Sequence, residues 1–306
     1  MKVLVTGGKG MLGKHIEDKL SYKDHEGIYV GSKDYDLTSL FQVRKMFEEI
    51  RPDAVIHAAA RVGGIQENID HPIEFLEQNI LMNTHVVSES YKYGVKKLIA
   101  VSSTCVYPDA LPETYYPLKE DILHNGPPTP TNFGYGMAKR VMGTQVELYR
   151  KIYDLDYSTL YACNLYSEYD NFDNDKKAHF ITALLKKINN CVNEDEEILQ
   201  LLGTGKPLRQ FIHAADLADI IVQGLDRELK MDFNVCDNVV WSIREMAEIA
   251  LKVLDKDLIL KFDASKPDGQ IRKDASDSKF RMLFPTFRFK SFANGLELVY
   301  NKLVNG

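Results

Sequence analysis

The 306-residue sequence is poor in the features that mark several classes of protein. Its 4 cysteines (Cys105, Cys163, Cys191 and Cys236) are widely spaced and form no C-x-x-C pair. This argues against a disulfide framework or a cysteine zinc cluster, predicts no metal, and fits a reducing compartment. No apolar run reaches the ~18 residues of a membrane span. Residues 1–5 read directly as a strand, without the charged and apolar regions of a secretory signal. Positive charge is not in excess either. With 38 Lys and Arg against 44 Asp and Glu the net charge is −6, which supplies no basic field for nucleic acid. Repeats and low-complexity linkers are lacking. What is plentiful is core material: 44% of residues are hydrophobic, with 14 Phe and 16 Tyr, too much for disorder. The expectation is a soluble cytoplasmic protein that binds neither nucleic acid nor membrane.

The chain alternates short apolar runs with segments of helical spacing. Lys2 to Thr6, Gly27 to Val30, Ala54 to Ala58, Lys97 to Ser102 and Tyr157 to Tyr161 read as buried strands. Segments 38–49, 73–93 and 134–153 read as helices. Such alternation predicts an α/β fold, a Rossmann doubly wound parallel sheet covered on both faces. Beyond it the pattern loosens. Glu168 to Lys177 reads as an exposed loop, Ala178 to Asn189 as a helix and Ile198 to Leu202 as a strand. Segment 241–254 reads as a helix, and the tail from Leu258 as a strand, a basic turn (Lys266 to Lys273) and a final helix. The expected division is a Rossmann domain over 1–165, with 210–240 returning to it, and a smaller C-terminal α/β substrate lobe over 166–306.

The first strand ends in Thr6-Gly7-Gly8-Lys9-Gly10-Met11-Leu12-Gly13, ahead of a helix. Gly7, Gly10 and Gly13 permit a tight turn and close approach of backbone N–H groups to a pyrophosphate at the helix N-terminus. NAD-selective sites place a carboxylate at the end of the second strand. Here that strand runs into Val30-Gly31-Ser32-Lys33, and Lys9 sits in the glycine turn. Two ammonium groups favour a 2′-phosphate, so NADP is expected; the neighbouring Asp34 keeps NAD open.

Ser102-Ser103-Thr104 follows the fourth strand, and Tyr135-Gly136-Met137-Ala138-Lys139 lies downstream. On a helix, i and i+4 share a face, so Lys139 is expected beside Tyr135, favouring tyrosinate and lowering the phenol pKa. Such a tyrosine can give a proton to a carbonyl oxygen as hydride reaches the carbon, while Ser103 holds the same oxygen. Glycine turn, serine and Y-x-x-x-K together resemble the extended short-chain dehydrogenase/reductase superfamily.

Further segments narrow the likeness. His57-Ala58-Ala59-Ala60-Arg61-Val62-Gly63-Gly64-Ile65, Ser103-Thr104-Cys105-Val106-Tyr107-Pro108, Asn132-Phe133-Gly134-Tyr135, Asn164-Leu165-Tyr166, Asp170-Asn171-Phe172, Arg209-Gln210-Phe211-Ile212-His213 and Phe262-Asp263-Ala264-Ser265-Lys266-Pro267-Asp268-Gly269 resemble the GDP-L-fucose synthase family, in order over nearly the whole chain. The resemblance implies 3,5-epimerisation and then NADPH-dependent 4-reduction of a GDP-4-keto-6-deoxy sugar. A C4 ketone acidifies C3–H and C5–H, so epimerisation needs a base on one face and an acid on the other. By resemblance Cys105 and His179 are that pair. The likeness also implies cofactor contacts from Met11, Asp36, Leu37, Ala58, Ala60, Asn164 and Lys139. Substrate contacts are expected from Asn164, Lys187, Arg209 and Lys266, and a homodimer through the helices around 73–93 and 134–153.

Departures from the family pattern are specific. Its usual N-x-x-G-P-H-D-N-F reads Asn164-Leu165-Tyr166-Ser167-Glu168-Tyr169-Asp170-Asn171-Phe172, and a Pro usually three residues after the histidine is Thr182. Both changes are expected near the sugar, which leaves open a heptose substrate and a C4 reductase with partial or no epimerase activity. A nucleotide-sugar 4-epimerase and a silent NADP-binding regulator are the remaining alternatives; the regulator is opposed by the presence of Ser103, Tyr135 and Lys139 together.

Overall fold

The computed structural model describes residues 1–172, 179–266 and 268–305. Residues 173–178, within the Asp-, Asn- and Lys-rich segment, and Pro267 lie outside the described residues. The chain opens with β1 (Lys2–Thr6), α1 (Met11–Leu20), β2 (Glu26–Val30), α2 (Leu40–Ile50), β3 (Ala54–His57), α3 (Ile65–Asp70), α4 (Pro72–Lys92), β4 (Lys97–Ser103), α5 (Phe133–Tyr153) and β5 (Asp156–Ala162). It continues with β6 (Asn164–Tyr166), α6 (Phe180–Asn193), β7 (Ile198–Leu202), β8 (Leu208–Arg209), β9 (Phe211–His213), α7 (Ala214–Leu225) and β10 (Phe233–Val235). The remainder is β11 (Trp241–Ser242), α8 (Ile243–Val253), β12 (Ile259–Asp263), α9 (Ser278–Leu283) and α10 (Phe292–Asn305). No described helix is long and apolar enough to cross a membrane.

Six strands form one parallel sheet in the order β10-β5-β4-β3-β1-β2. Val3, Leu4 and Val5 are fully buried, as an apolar run must be when helices cover both faces of a parallel sheet. Helices α1 and α7 share one face, while α2, α4 and α5 share the other. Strand order reverses between β1 and β3, and a crevice opens above the carboxyl ends of the strands at such a switch point. The buried imidazole of His57 ties this edge together, with Nδ1 2.7 Å from Thr6 Oγ1 and Nε2 2.9 Å from Asn83 Oδ1.

A second core gathers α6, α8 and α10 over the parallel pair β7–β12, with Leu185, Leu199, Met246 and Leu296 at its centre. Helix α7 and strand β10 were not legible as separate elements in the sequence, and β10 lies beside β5 in the main sheet. The tail then returns to that sheet as well. Leu118 N–H donates to Asp274 O at 2.8 Å, and Ser276 N–H to Leu118 O at 2.8 Å. Phe280 stacks on Phe284 and Phe233, with centroids 5.2 and 6.4 Å away.

Phe280 is fully buried, and truncating a buried Phe costs about 3–5 kcal/mol. Phe280→Ala should therefore lower the urea midpoint without changing the denaturant slope. An unchanged midpoint would show that the tail is not anchored on this aromatic stack.

Candidate active site

The turn after β1 is shaped for an anion. Gly7 has φ +72°, and a Cβ there would sit 2.7 Å from Ala59 N, so neither its conformation nor its neighbour admits a side chain. Gly10 begins α1 without a side-chain cap, and the first turn carries no acidic residue. Its N–H groups and positive dipole end thus remain available. Gly13 and Met11 continue this helix, while Ala58 and Ala60 follow β3 across the switch point. Lys9 and Lys33 are exposed on the rim; the Lys9 ammonium lies 6.0 Å from the Tyr29 ring. Asp34 Oδ2 accepts Gly31 N–H at 2.7 Å, so this carboxylate is engaged by its own turn. Asp36 Oδ1 accepts Thr38 N–H at 2.9 Å, and the carbonyl of buried Leu37 accepts from His85 Nδ1 at 3.0 Å. Asn164 Nδ2 donates to Gln210 O at 2.9 Å.

Beside this cradle, β4 ends at Ser103, whose Oγ accepts Cys105 N–H at 3.2 Å. Helix α5 touches that turn directly, since a Cβ on Gly136 would lie 2.6 Å from Cys105 O. Tyr135 is thereby carried to the end of β4. Lys139, 2% exposed, donates to Val101 O at 2.8 Å, and burial lowers its pKa to about 7. The phenol differs from expectation. Burial, and then the neighbouring Cys105, push Tyr135 up rather than down. The protein alone does not acidify it, because the amine is directed at a backbone carbonyl and desolvation opposes both charges.

Cys105 and His179 stand in opposite electrostatic settings. Burial pulls the thiol up, but Lys273, with Nζ 3.0 Å from Sγ, then Ser103 and Arg209, more than offset it, and the thiol lies below its ordinary value. His179 Nδ1 is 2.9 Å from Asp170 Oδ1, and that hydrogen bond, against the effect of burial, raises the imidazole. The Cys105 charge adds to the rise. Thr182 donates its hydroxyl to Asp170 Oδ2 at 2.5 Å. Ser103, Cys105, Tyr135, His179 and Arg209 thus converge electrostatically at the strand ends.

Other expected residues do not converge there. Lys187 is exposed on α6 and influences Cys191, and Lys266 is exposed in the turn after β12. Sequence reasoning missed Lys273 and Asp170 as members of the site; Thr182, expected near the sugar, meets Asp170. Glu168 and Tyr169 also correct an expectation, since they turn toward α1. Glu168 Oε2 is 2.9 Å from His213 Nε2, and Tyr169 packs on His15 with ring centroids 4.8 Å apart. Ligand atoms of His15, Glu168 and His213 lie within 4.8 Å of one another. His213 Nδ1 accepts Ala215 N–H at 3.2 Å, which leaves its Nε2 edge toward Glu168, and His15 Nε2 lies 2.7 Å from Ser167 Oγ.

Residues 3–236 match the family model described as "NAD dependent epimerase/dehydratase family". A probable GDP-L-fucose synthase of Drosophila melanogaster is 34% identical over 94% of this chain and 92% of its own length. The GDP-L-fucose synthase of Dictyostelium discoideum is 36% identical over 94% and 90%. The chain belongs to the NAD dependent epimerase/dehydratase family, on its GDP-L-fucose synthase branch. A crystal structure of a GDP-L-fucose synthetase from Naegleria fowleri bound to NADP superimposes with a TM-score of 0.88 at 29% identity, covering 99% of this chain and 94% of that one.

Asp170→Asn removes the carboxylate that raises His179. Its imidazole midpoint, followed by NMR, should fall by about one pH unit, the lower end for loss of a contacting opposite charge. An unmoved midpoint would mean that Asp170 does not set the histidine's charge.

Proposed function

We propose that this member of the branch is an NADPH-dependent 3,5-epimerase/4-reductase of a GDP-4-keto-6-deoxy sugar. The observation that carries the reading is the convergence of Ser103, Tyr135 and Lys139 with the oppositely tuned pair Cys105 and His179 above one set of strand ends. NADP would be held by Gly7, Gly10, Met11, Gly13, Ala58, Ala60 and Asn164, with Asp36 and Leu37 beside it. Lys9 and Lys33, both exposed, would supply the positive charge a 2′-phosphate needs. The open helix end and the side-chain-free Gly7 fit such a group. When bound, NADPH supplies hydride to C4.

The remaining chemistry belongs to the chain. Cys105, drawn toward thiolate, takes a proton from C3 or C5, and His179, drawn toward imidazolium, returns one on the opposite face. Ser103 donates to the C4 oxygen while negative charge grows there. Tyr135 then supplies the final proton. A phenol held protonated suits this direction, because an alkoxide is far more basic than even a raised phenolate. Arg209, half-buried with Nη2 close to Gly269, would neutralise the diphosphate, with Asn164 as a further substrate contact; the exposed Lys187 and Lys266, apart from the converging groups, would add only outer, screened charge. In this reading 1–165, with 210–240, forms the cofactor domain, and 166–306 forms most of the sugar lobe.

The test is a substrate panel. With NADPH and a GDP-4-keto-6-deoxy hexose or heptose in deuterated water, NMR of the product should show label at C3 and C5 and reduction at C4. Tyr135→Phe should lose NADPH oxidation by at least about 100-fold, the scale of general acid catalysis, while still binding NADPH. Cys105→Ser should lose label uptake first. Reduction without label would mark a simple C4 reductase, and no turnover with either sugar would refute the reading.

A homodimer is part of the proposal. Helix α5 exposes Val141, Leu148 and Ile152, and α4 exposes Ile73 and Leu81, each set at helical spacing on one face. Leu148→Glu with Ile152→Glu should convert a sedimenting dimer to monomer. A wild-type monomer at micromolar concentration would remove this part.

A further inference from the structure

The tail places one side chain with unusual firmness. Arg272 Nε donates to Asp274 Oδ1 at 2.6 Å, and its guanidinium lies 4.9 Å from the Tyr116 ring centroid. Asp274 O accepts Leu118 N–H at 2.8 Å. Gln210 clamps the next residue, accepting Ala275 N–H at 2.8 Å and donating to Ala275 O at 3.1 Å. Between these anchored neighbours stands half-buried Lys273, with Nζ 3.0 Å from Cys105 Sγ. A lysine normally keeps its ammonium in water. Here the backbone on both sides is fixed so that the charge meets a sulfur.

We propose that Lys273 is the counter-ion of a Cys105 thiolate and readies that sulfur to remove a proton from the sugar. The proposal rests on the reading of Cys105 as an epimerising group. The groups that face Cys105 are the Ser103 hydroxyl on its own turn, Tyr135 of α5, Arg209 of β8, His179 ahead of α6 and Lys273 of the tail. Arg209 is shared with the Asp268 carboxylate and stands ready for the diphosphate. Lys273 is the cation in contact with the sulfur. In the proton-transfer step the C–H bond breaks and an S–H bond forms, with the electron pair passing into the C4 enolate. His179 loses an N–H proton as the new C–H bond forms on the other face. Nothing is oxidised or reduced, and Lys273 exchanges no proton with the sugar. It acts as a positioning residue through Cys105.

The decisive measurement is the pH dependence of Cys105 alkylation by iodoacetamide in the full-length protein, read by peptide mass mapping. Cys163, Cys191 and Cys236 are buried and are resolved as separate peptides. Wild type should alkylate with a midpoint below the roughly 8.5 of a free thiol; a midpoint at or above that value overturns the proposal whatever any variant does. Lys273→Gln should move the midpoint up by about one pH unit or more and slow alkylation at neutral pH about tenfold. Lys273→Arg should restore most of it, and NADPH affinity should be unchanged in both. An unmoved midpoint in Lys273→Gln that still binds NADPH also overturns it. Deuterium uptake at C3 and C5 should fall in step with alkylation. A shifted midpoint with undiminished uptake leaves the counter-ion assignment standing and removes Cys105 from epimerisation, so the two readings fail separately.

Discussion

Helix α5 can lie against the turn that follows β4 because residue 136 has no side chain. A single Cβ would intrude to 2.6 Å on the carbonyl of Cys105. The contact is then clasped from both sides. Lys139 donates to Val101 within β4, and Arg140 donates to Val106 O at 3.0 Å and Gly126 O at 2.8 Å. Lys139 and Arg140 are buried, so each hydrogen bond offsets a desolvation that would otherwise be costly. The phenol, the serine and the sulfur are consequently held on one rigid joint, and a displacement of either element would move all three.

That joint leaves the electrostatics to be supplied from elsewhere. Burial alone would make every group near Ser103 neutral, and Tyr135 and Lys139 obey it. Cys105 and His179 do not. Each has a charged partner in direct contact, Lys273 for the sulfur and Asp170 for the imidazole. Both partners arrive on segments remote from β4 and α5. Thr182 also gains a reason here. Its hydroxyl shares the charge of Asp170, and so bears on the partner of His179 without touching Ser103, Tyr135 or Lys139.

Much of this was legible in the sequence because local physics encodes it. Parallel strands buried on both faces write themselves as apolar runs, and a Y-x-x-x-K spacing puts two side chains on one helical face. The strand at Lys2 to Thr6 and the helix over 134–153 follow such patterns, as do the residues joined to them, Gly7, Ser103, Tyr135 and Lys139. Lys273 had no such signal. It lies 168 residues from its sulfur, and a lysine in a basic turn looks the same whether it meets solvent or a thiol. Glu168 and Tyr169 misled for a related reason. Their position beside the motif suggested the sugar, whereas their bulk is absorbed by His15 and Lys14 of α1 and by His213 at the end of β9. The phenol's direction was missed because helical spacing reports proximity and says nothing of desolvation.

In the proposed reading the arrangement separates two chemistries on one ketone. Reduction would draw on groups from β4 and α5, close in sequence and fixed by the Gly136 contact. Epimerisation would borrow Cys105 from the same turn but depend on the loop carrying Asp170 and on a tail that crosses from the second lobe back to the main sheet. Epimerisation at carbon needs a base on one face and an acid on the other, and desolvation in a closed site disfavours the charged form of each unless a partner offsets it. The Gln210 clamp, the Leu118 pairing and the Phe280 stack all hold the tail in place. Their shared consequence is to keep one ammonium beside one sulfur.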